Sequence, residues 1–261
     1  MTFIDTHCHL YDEAFDTDRE ATLQRALDAD VNTMLLPAID SQSHDRQEML
    51  ASQYPHCFRQ MMGLHPTSVK EDYEQELQHV HNRLFSPRTF HPSPYIAIGE
   101  IGMDLYWDRT FESQQREVLK TQLQWAVDLN LPVCLHIRKA HNEVFNLLRE
   151  MNRPSWRGVM HCFGGSVQEA QRALEMGFHL GIGGVVTFKN AGMAEVVKTV
   201  PLECLLLETD APYLSPVPHR GQRNEPSYIP LIAQKIADLK EVSLAHVADV
   251  TTASARSLFS I

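Results

Sequence analysis

Short apolar runs alternate with longer amphipathic stretches from one end of the chain to the other. The runs are rich in Val, Ile, Leu and Met, as in MLLP, VCLHI and LLLET, and several are apolar on both faces. Buried strands of a parallel sheet show this continuous pattern. The eight predicted strands are Thr2–Asp5, Val31–Pro37, Phe58–Gly63, Ile96–Glu100, Pro132–His136, Gly158–His161, His179–Gly183 and Leu205–Thr209.

The stretches between these runs repeat apolar residues at helical intervals. Leu119, Leu123 and Ala126, for example, recur at spacings of four and three, with Gln and Trp between them. This period gives a helix one apolar face for packing on a sheet. The predicted helices are Arg19–Ala29, Gln42–Tyr54, Glu74–Phe85, Ser113–Leu129, Ala140–Met151, Val167–Glu175, Ala191–Val200, Tyr228–Leu239 and Leu244–Leu258.

The regular order of strand and helix predicts an α/β fold with a parallel sheet and right-handed crossovers. Eight such units in 261 residues are typical of a TIM-type (β/α)8 barrel, and we expect residues 1–261 to form a single domain. An open doubly wound sheet is the structural alternative. Its usual nucleotide signatures are missing, because no G-x-G-x-x-G follows the first strand and no P-loop occurs.

Polar residues that bind metals cluster at the carboxyl ends of the predicted strands, where barrel enzymes carry their chemistry. A single histidine at a strand end is more often structural than a ligand. Six strand ends with the same bias favour a joint metal site instead. The residues are Asp5, His7 and His9, then His65, Glu100, Asp104, His136, Arg138, His161, Glu208 and Asp210.

The candidate donors are imidazoles and carboxylates, without a cluster of thiolates. Such a set suits Zn²⁺, Mn²⁺, Co²⁺ or Mg²⁺ in a catalytic site. The number of strands that supply ligands fits two metal ions with a shared carboxylate better than one ion. Histidines elsewhere are expected to be solvated or locally hydrogen-bonded; they are His44, His56, His79, His81, His91, His141 and His246.

The formal net charge of −10 argues against a surface built for broad capture of nucleic acid, although a local basic pocket remains compatible with it. The five cysteines are widely spaced and form no CxxC, which is typical of reduced thiols. Neither a signal-like N-terminus nor a membrane-length apolar run is visible, so we expect a cytoplasmic protein. The few cations near the polar motifs are Arg138, Lys139, Lys189, Arg220 and Arg223.

Six motifs in order along the chain resemble the TatD family of metal-dependent deoxyribonucleases, a branch of the amidohydrolase-like barrel superfamily. They are DTHCH, GLHP, GEIGMD, LPVCLHIRKA, MHCF and ETDAPYL, and a later GQRNEPSYI is similar to the family's Arg-Asn-x-Pro segment. A lone DxHxH would indicate only the superfamily. The six together are specific, and the similarity extends over nearly the whole chain to ASARSLF.

The resemblance implies two metal ions. Asp210 would also be the base that orients and deprotonates the attacking water, and Glu100 would bridge the two ions. One ion would be held by His7, His9, Glu100 and Asp210, and the other by Glu100, His136 and His161.

Other strand-end residues are assigned supporting roles. His65 is a candidate to contact substrate phosphate or to support a ligand. Arg138 either grips a phosphate oxygen or forms a salt bridge at the barrel mouth, and both readings stay open. Asp5 and Glu208 are candidates to orient ligating histidines from behind.

The function most compatible with these features is a two-metal phosphodiesterase or deoxyribonuclease. It would act on DNA ends or short oligonucleotides through a metal-bound hydroxide, and a single-stranded end could stack on Tyr106, Trp107 or Tyr213. The alternative is a metal-dependent hydrolase of a small-molecule ester, lactone, amide or phosphate ester. A non-catalytic barrel would be expected to lack ligands, and none of the six is missing.

Overall fold

The computed structural model describes residues 1–85, 95–189 and 192–261. Within these residues eight parallel strands are hydrogen-bonded in chain order, which confirms the predicted α/β barrel. The strands are β1 (Phe3–Asp5), β2 (Val31–Leu36), β3 (Phe58–Met62), β4 (Tyr95–Asp104), β5 (Val133–Arg138), β6 (Gly158–Met160), β7 (Phe178–Ile182) and β8 (Leu205–Leu207).

Helices follow the strands and differ from their predicted bounds by only one or two residues. The predicted Ala191–Val200 helix begins at a residue outside the described ranges, as does the histidine at position 91. The helices are α1 (Arg19–Asp28), α2 (Ser41–Gln53), α3 (Tyr73–Phe85), α4 (Glu112–Asp128), α5 (His141–Glu150), α6 (Val167–Glu175), α7 (Met193–Thr199), α8 (Ile229–Lys240) and α9 (Leu244–Phe259).

The first and last strands meet at a seam that closes the barrel. The amide and the hydroxyl of Thr6 both donate to the carbonyl of Leu207, at 2.9 Å and 3.0 Å. The seam continues past the strands, where Cys8 and Ala211 form a parallel bridge. Two segments distant in sequence therefore run side by side where the predicted site begins.

The barrel core has an inner and an outer layer. The outer layer joins the strands to the surrounding helices. The inner layer is capped by α9, whose Leu258 and Phe259 are buried against the strand residues. The inner strand residues are Ile4, Leu35, Met61, Ala97, Cys134, Val159 and Leu206. Apolar packing thus fills one end of the barrel and leaves the carboxyl ends of the strands for polar side chains.

Among the described helices, none combines the length and the apolar character needed to cross a membrane.

The α2–α3 contact contains a histidine pair that the sequence placed among solvated residues. His44 is fully buried, and its ring stacks on that of His79 with centroids 4.9 Å apart. Burial, helped by the neighbouring His79, lowers the pKa of His44 to about 4. Of the two alternatives for His44, solvated or locally hydrogen-bonded, the solvated one is wrong, because the helix pairing covers the ring.

Replacing His44 with Leu should reduce the acid sensitivity of the fold. The folded protein binds fewer protons at His44 than the unfolded chain, so stability falls as pH drops from 6.5 towards about 4. Over this pH range the free energy of unfolding should fall by about 3 kcal/mol less in His44→Leu than in wild type. Urea unfolding measures it. His56→Leu, at an exposed position, is the control. The same pH dependence in wild type and His44→Leu would contradict this.

Candidate metal and catalytic site

A cleft of about 990 Å³ opens at the carboxyl ends of the strands. His7 does not line it, but is fully buried beside Glu100. The structure thus brings all the sequence-predicted site residues into one region. Those that line the cleft are His9, His65, Glu100, His136, Arg138, His161 and Asp210.

β4 and β5 approach each other closely at the site. Gly102 has a φ of 154°, and a Cβ at this position would lie 1.8 Å from the carbonyl oxygen of His136. Only glycine is compatible with that contact. The close approach sets Glu100 of β4 beside His136 of β5, with Oε1 2.8 Å from Nδ1.

The carboxylate of Glu100 lies between two groups of imidazoles. Oε2 is 3.1 Å from Nε2 of His7 and 3.7 Å from Nε2 of His9. Oε1 is 2.8 Å from Nδ1 of His136 and 3.2 Å from Nε2 of His161. Each oxygen therefore faces its own set of nitrogen donors.

The barrel seam assembles the first of these sets. The amide of Asp210 donates to the carbonyl of His7 at 2.9 Å, and the amide of His9 donates to the carbonyl of Ala211 at 2.8 Å. These bonds hold Oδ1 of Asp210 at 3.7 Å and 3.6 Å from Nε2 of His7 and His9. The two Nε2 atoms are 3.2 Å apart.

The tautomer of His9 follows from its hydrogen bonds. The hydroxyl of Tyr11 donates its one proton to the carbonyl of Pro37 at 2.6 Å. It must then accept from Nδ1–H of His9, which is 2.9 Å away. The lone pair of His9 is therefore on Nε2, the nitrogen that faces Glu100 and Asp210.

His136 is oriented in the same way by a carboxylate. Oδ2 of Asp104 lies 3.0 Å from Nε2 of His136 and accepts its proton. Oδ1 of Asp104 accepts from the amide of Tyr106 at 2.9 Å, so the carboxylate is fixed. Nδ1 is then the nitrogen that faces Glu100, and although burial opposes it, the hydrogen bonds to Asp104 and Glu100 raise the pKa of the His136 ring.

His161 is flanked by carboxylates on both ring nitrogens. Glu208, fully buried, has Oε1 3.4 Å from Nδ1 and accepts from the amide of Cys162 at 2.5 Å. The 3.4 Å separation is long for a hydrogen bond, so Glu208 acts on the ring mainly through its charge. The His161 ring also stacks on His7, with centroids 3.6 Å apart.

His65 differs from the other imidazoles because its Nδ1 is an acceptor. The amide of Thr67 donates to Nδ1 at 3.1 Å. Burial lowers the pKa of His65, so the ring is neutral and carries its proton on Nε2. That nitrogen lies 3.2 Å from Oε1 of Glu100. His65 thus presents a donor to the site, where His9 presents a lone pair.

The electrostatics of the site centre on Glu100. Burial alone would raise the pKa of its carboxyl, but the surrounding imidazoles, led by His65 and His161, hold that pKa well below its usual value. For His7, burial first and the adjacent His161 second lower the ring's pKa. A neutral His7 beside an ionised Glu100 is the arrangement that suits a bound cation.

Asp5 acts on the backbone and not on an imidazole. Its Oδ1 accepts from the amides of His7 and Thr209 at 3.2 Å and 2.9 Å. Its Oδ2 accepts from the hydroxyl of Thr209 at 2.5 Å. Asp5 therefore joins the segments after β1 and β8, and it positions His7 through the main chain.

The cations named from the sequence are only partly available to the cleft. Arg138 and Lys139 line it. Arg223 donates to both carboxylate oxygens of Asp18 at 2.7 Å, so its guanidinium is structural. Arg220 lies over the ring of Phe188, 3.9 Å from its centroid. Within the described chain, Arg138 makes no ion pair and instead stacks on aromatic rings.

Three residues of the site had no assigned role in the sequence. They are Tyr11 behind His9, Asp104 behind His136, and Cys134, whose sulfur lies 3.4 Å from Nδ1 of His7. The sequence had named Asp104 only as a polar residue at a strand end, and the alternation that links residues 5, 7 and 9 would also have indicated Tyr11. Nothing in the sequence pairs Cys134 with His7.

The chain is similar to known proteins over its full length. The model of the family described as TatD related DNase matches residues 4–260. The metal-dependent hydrolase YabD of Bacillus subtilis is 38% identical over 258 residues, which cover 98% of both chains. The 3'-5' ssDNA/RNA exonuclease TatD of Citrobacter rodentium is 34% identical over 98% of this chain and 97% of its own.

The chain is also similar to a solved structure of a TatD homologue. The TatD homologue YjjV of Escherichia coli superimposes with a TM-score of 0.91 at 33% identity, over 99% of this chain and 98% of that one. The two chains therefore share the barrel fold.

Tyr11→Phe should allow His9 to populate both neutral tautomers. Without the phenolic oxygen, Nδ1–H loses its acceptor, and the proton should distribute over both ring nitrogens. Nitrogen-15 NMR of the metal-free protein measures this. We expect the His9 proton on Nδ1 in wild type and in the control Tyr54→Phe. In Tyr11→Phe we expect a mixture of the Nδ1–H and Nε2–H tautomers. A wild-type proton on Nε2 would contradict the assignment.

Proposed function

The chain belongs to the TatD-related DNase family, and we propose that it is a two-metal hydrolase that cleaves phosphodiester bonds at DNA ends or in short oligonucleotides. The observation that carries the proposal is the carboxylate of Glu100, whose two oxygens face separate sets of imidazoles. A buried carboxylate in that position is suited to bridge two cations.

The donor geometry fits metal ions. Two nitrogen ligands of one tetrahedral zinc, each at roughly 2.1 Å, lie about 3.4 Å apart. The Nε2 atoms of His7 and His9 are 3.2 Å apart, and the lone pair of His9 is on Nε2. Both nitrogens face the ionised Glu100, so a cation there would be held by two imidazoles and a carboxylate. The donor types do not distinguish Zn²⁺ from Mn²⁺, Co²⁺ or Mg²⁺.

We assign the ligands as two sets that share Glu100. When bound, the divalent ions would supply Lewis acidity that activates water and neutralises phosphate charge. His65, Glu100 and His136 also lie close enough together to hold an ion, but we leave His65 out of both sets because the amide of Thr67 donates to its Nδ1 and leaves Nε2 as a donor for the substrate. The first set is His7, His9, Asp210 and Oε2 of Glu100, and the second is His136, His161 and Oε1 of Glu100.

Asp210 is our candidate for the general base. Its side chain is 15% exposed, so water in the cleft reaches it. Burial would raise its pKa, but His9, His161 and His7 lower it, so the carboxylate is ionised at neutral pH. An ionised, accessible carboxylate can orient a water molecule and take its proton.

His65 and Arg138 are our candidates for substrate contacts. Nε2–H of His65 can donate to a phosphate oxygen that approaches Glu100 from the cleft. Arg138 also lines the cleft and can add a charged donor. Neither is needed to hold a metal ion, so both can act on the substrate alone.

Hydrolysis of a small-molecule ester or phosphate ester is the second candidate. It is favoured by the scarcity of cations in the cleft, where Arg138 and Lys139 are the ones among the described residues. Two cations suffice for a strand end but not for tracking along a duplex. The exonuclease name of the Citrobacter rodentium relative favours nucleic acid for this chain.

We also propose that residues 1–261 form one domain and that the protein is cytoplasmic. The second rests on the five unpaired cysteines.

Asp210→Asn should abolish metal-dependent release of nucleotides from an end-labelled single-stranded DNA. The amide cannot accept the proton of water, so we expect kcat to fall about a hundredfold or more. The measurement compares wild type and variant with and without added Mn²⁺ or Zn²⁺. Hydrolysis of a generic ester but not of DNA by metal-loaded wild type would overturn the nuclease proposal.

His65→Ala should separate substrate contact from metal binding. We expect kcat/KM on the oligonucleotide to fall about tenfold or more, since a donor to a charged oxygen is lost. Metal content, measured by elemental analysis, should stay at the wild-type value, whereas His136→Ala as the comparison should lose metal. Equal metal loss in both variants would make His65 a ligand and contradict our assignment.

A further inference from the structure

We propose that Trp107, supported by Tyr106 and Arg138, is a stacking platform for a nucleobase beside the cleaved phosphate of a single-stranded DNA end. The inference rests on the proposed phosphodiesterase function and adds a determinant of substrate choice to it.

The exposure of these aromatic rings is unusual. Trp107 is 69% exposed and Tyr106 is 51% exposed, although rings of this size normally contribute to a core. Trp107 also lines the catalytic cleft. A large apolar surface held at the mouth of a polar site indicates a place for a ligand with an apolar face.

The guanidinium of Arg138 contacts both rings. It lies 4.0 Å from the centroid of Tyr106 and 4.9 Å from that of Trp107. The two rings are themselves in an edge-to-face arrangement, with centroids 4.9 Å apart. A cation over aromatic rings is a stable contact even at a surface. Its charge also suits the phosphate that accompanies every nucleobase.

The platform is connected directly to the catalytic residues. Asp104 accepts from the amide of Tyr106 with one oxygen and from His136 with the other. The amide of Leu105 donates to the carbonyl of Arg138 at 2.9 Å. The main chain that carries the rings is therefore held beside the second ligand set, as alignment of a base and its phosphate requires.

A second exposed aromatic lines the cleft beside the first ligand set, where the ring of Tyr213 lies 6.4 Å from that of His9. Tyr213 is 53% exposed, and its amide donates to the carbonyl of Asp210 at 2.8 Å. A strand that enters between Trp107 and Tyr213 brings its phosphate to Glu100. In a duplex the base faces are already stacked, so the platform favours single-stranded ends.

The test compares two end-labelled oligothymidylates that differ only at the cleaved end. One is unmodified, and the other carries abasic tetrahydrofuran residues there, so it has phosphates without bases. The variants are Trp107→Ala, Trp107→Phe, and Met49→Ala as the control at an exposed apolar residue that does not line the cleft. The measured quantity is kcat/KM on the unmodified oligonucleotide divided by kcat/KM on the abasic one.

We expect the ratio to fall about tenfold in Trp107→Ala, mainly through KM, because one base–aromatic contact is removed. Trp107→Phe should recover part of it, and Met49→Ala should match wild type. The protein has three tryptophans. In an Asp210→Asn background, oligothymidylate should quench tryptophan fluorescence, and Trp107→Phe should remove that quenching.

An unchanged ratio in Trp107→Ala, whether neither oligonucleotide is affected or both lose equally, would overturn the platform alone. Release from neither oligonucleotide by metal-loaded wild type would overturn the proposed function, and the platform with it.

Discussion

The buried carboxylate of Glu100 is the interaction on which the site depends. An ionised carboxylate inside a protein is unfavourable unless donors or cations surround it. Here imidazoles flank both oxygens, and they lower the carboxyl's pKa although burial opposes this. The same imidazoles need their outward nitrogens fixed, which Tyr11 does for His9 and Asp104 does for His136. Tyr11 and Asp104 thus stabilise the one buried carboxylate indirectly, through the imidazoles that surround it.

The barrel supplies this arrangement through its closure. Joining the segments after β1 and β8 places Asp210 beside His7 and His9, although about two hundred residues separate them in sequence. The opposite end of the barrel is filled by α9 and an apolar inner layer. Apolar packing and the polar site thus lie at opposite ends of the barrel.

The sequence was informative wherever a residue's place on a strand decides its neighbours. The barrel, its helices and the convergence of His7, Glu100 and Asp210 all follow from strand ends that meet at one edge. Hydrogen-bond partners between elements were not predictable in the same way. The structural pairing of Arg223 with Asp18 and the burial of His44 depend on how loops and helices pack. Such contacts carry no periodic signal.

Metal stoichiometry tests the bridging role of Glu100 most directly. Elemental analysis of Glu100→Gln, compared with wild type and His161→Asn, separates the possibilities. A shared carboxylate predicts two ions per chain in wild type, one in His161→Asn, and weakened binding of both in Glu100→Gln, with circular dichroism showing an intact barrel. Two tightly bound ions in folded Glu100→Gln would contradict the bridging role of Glu100.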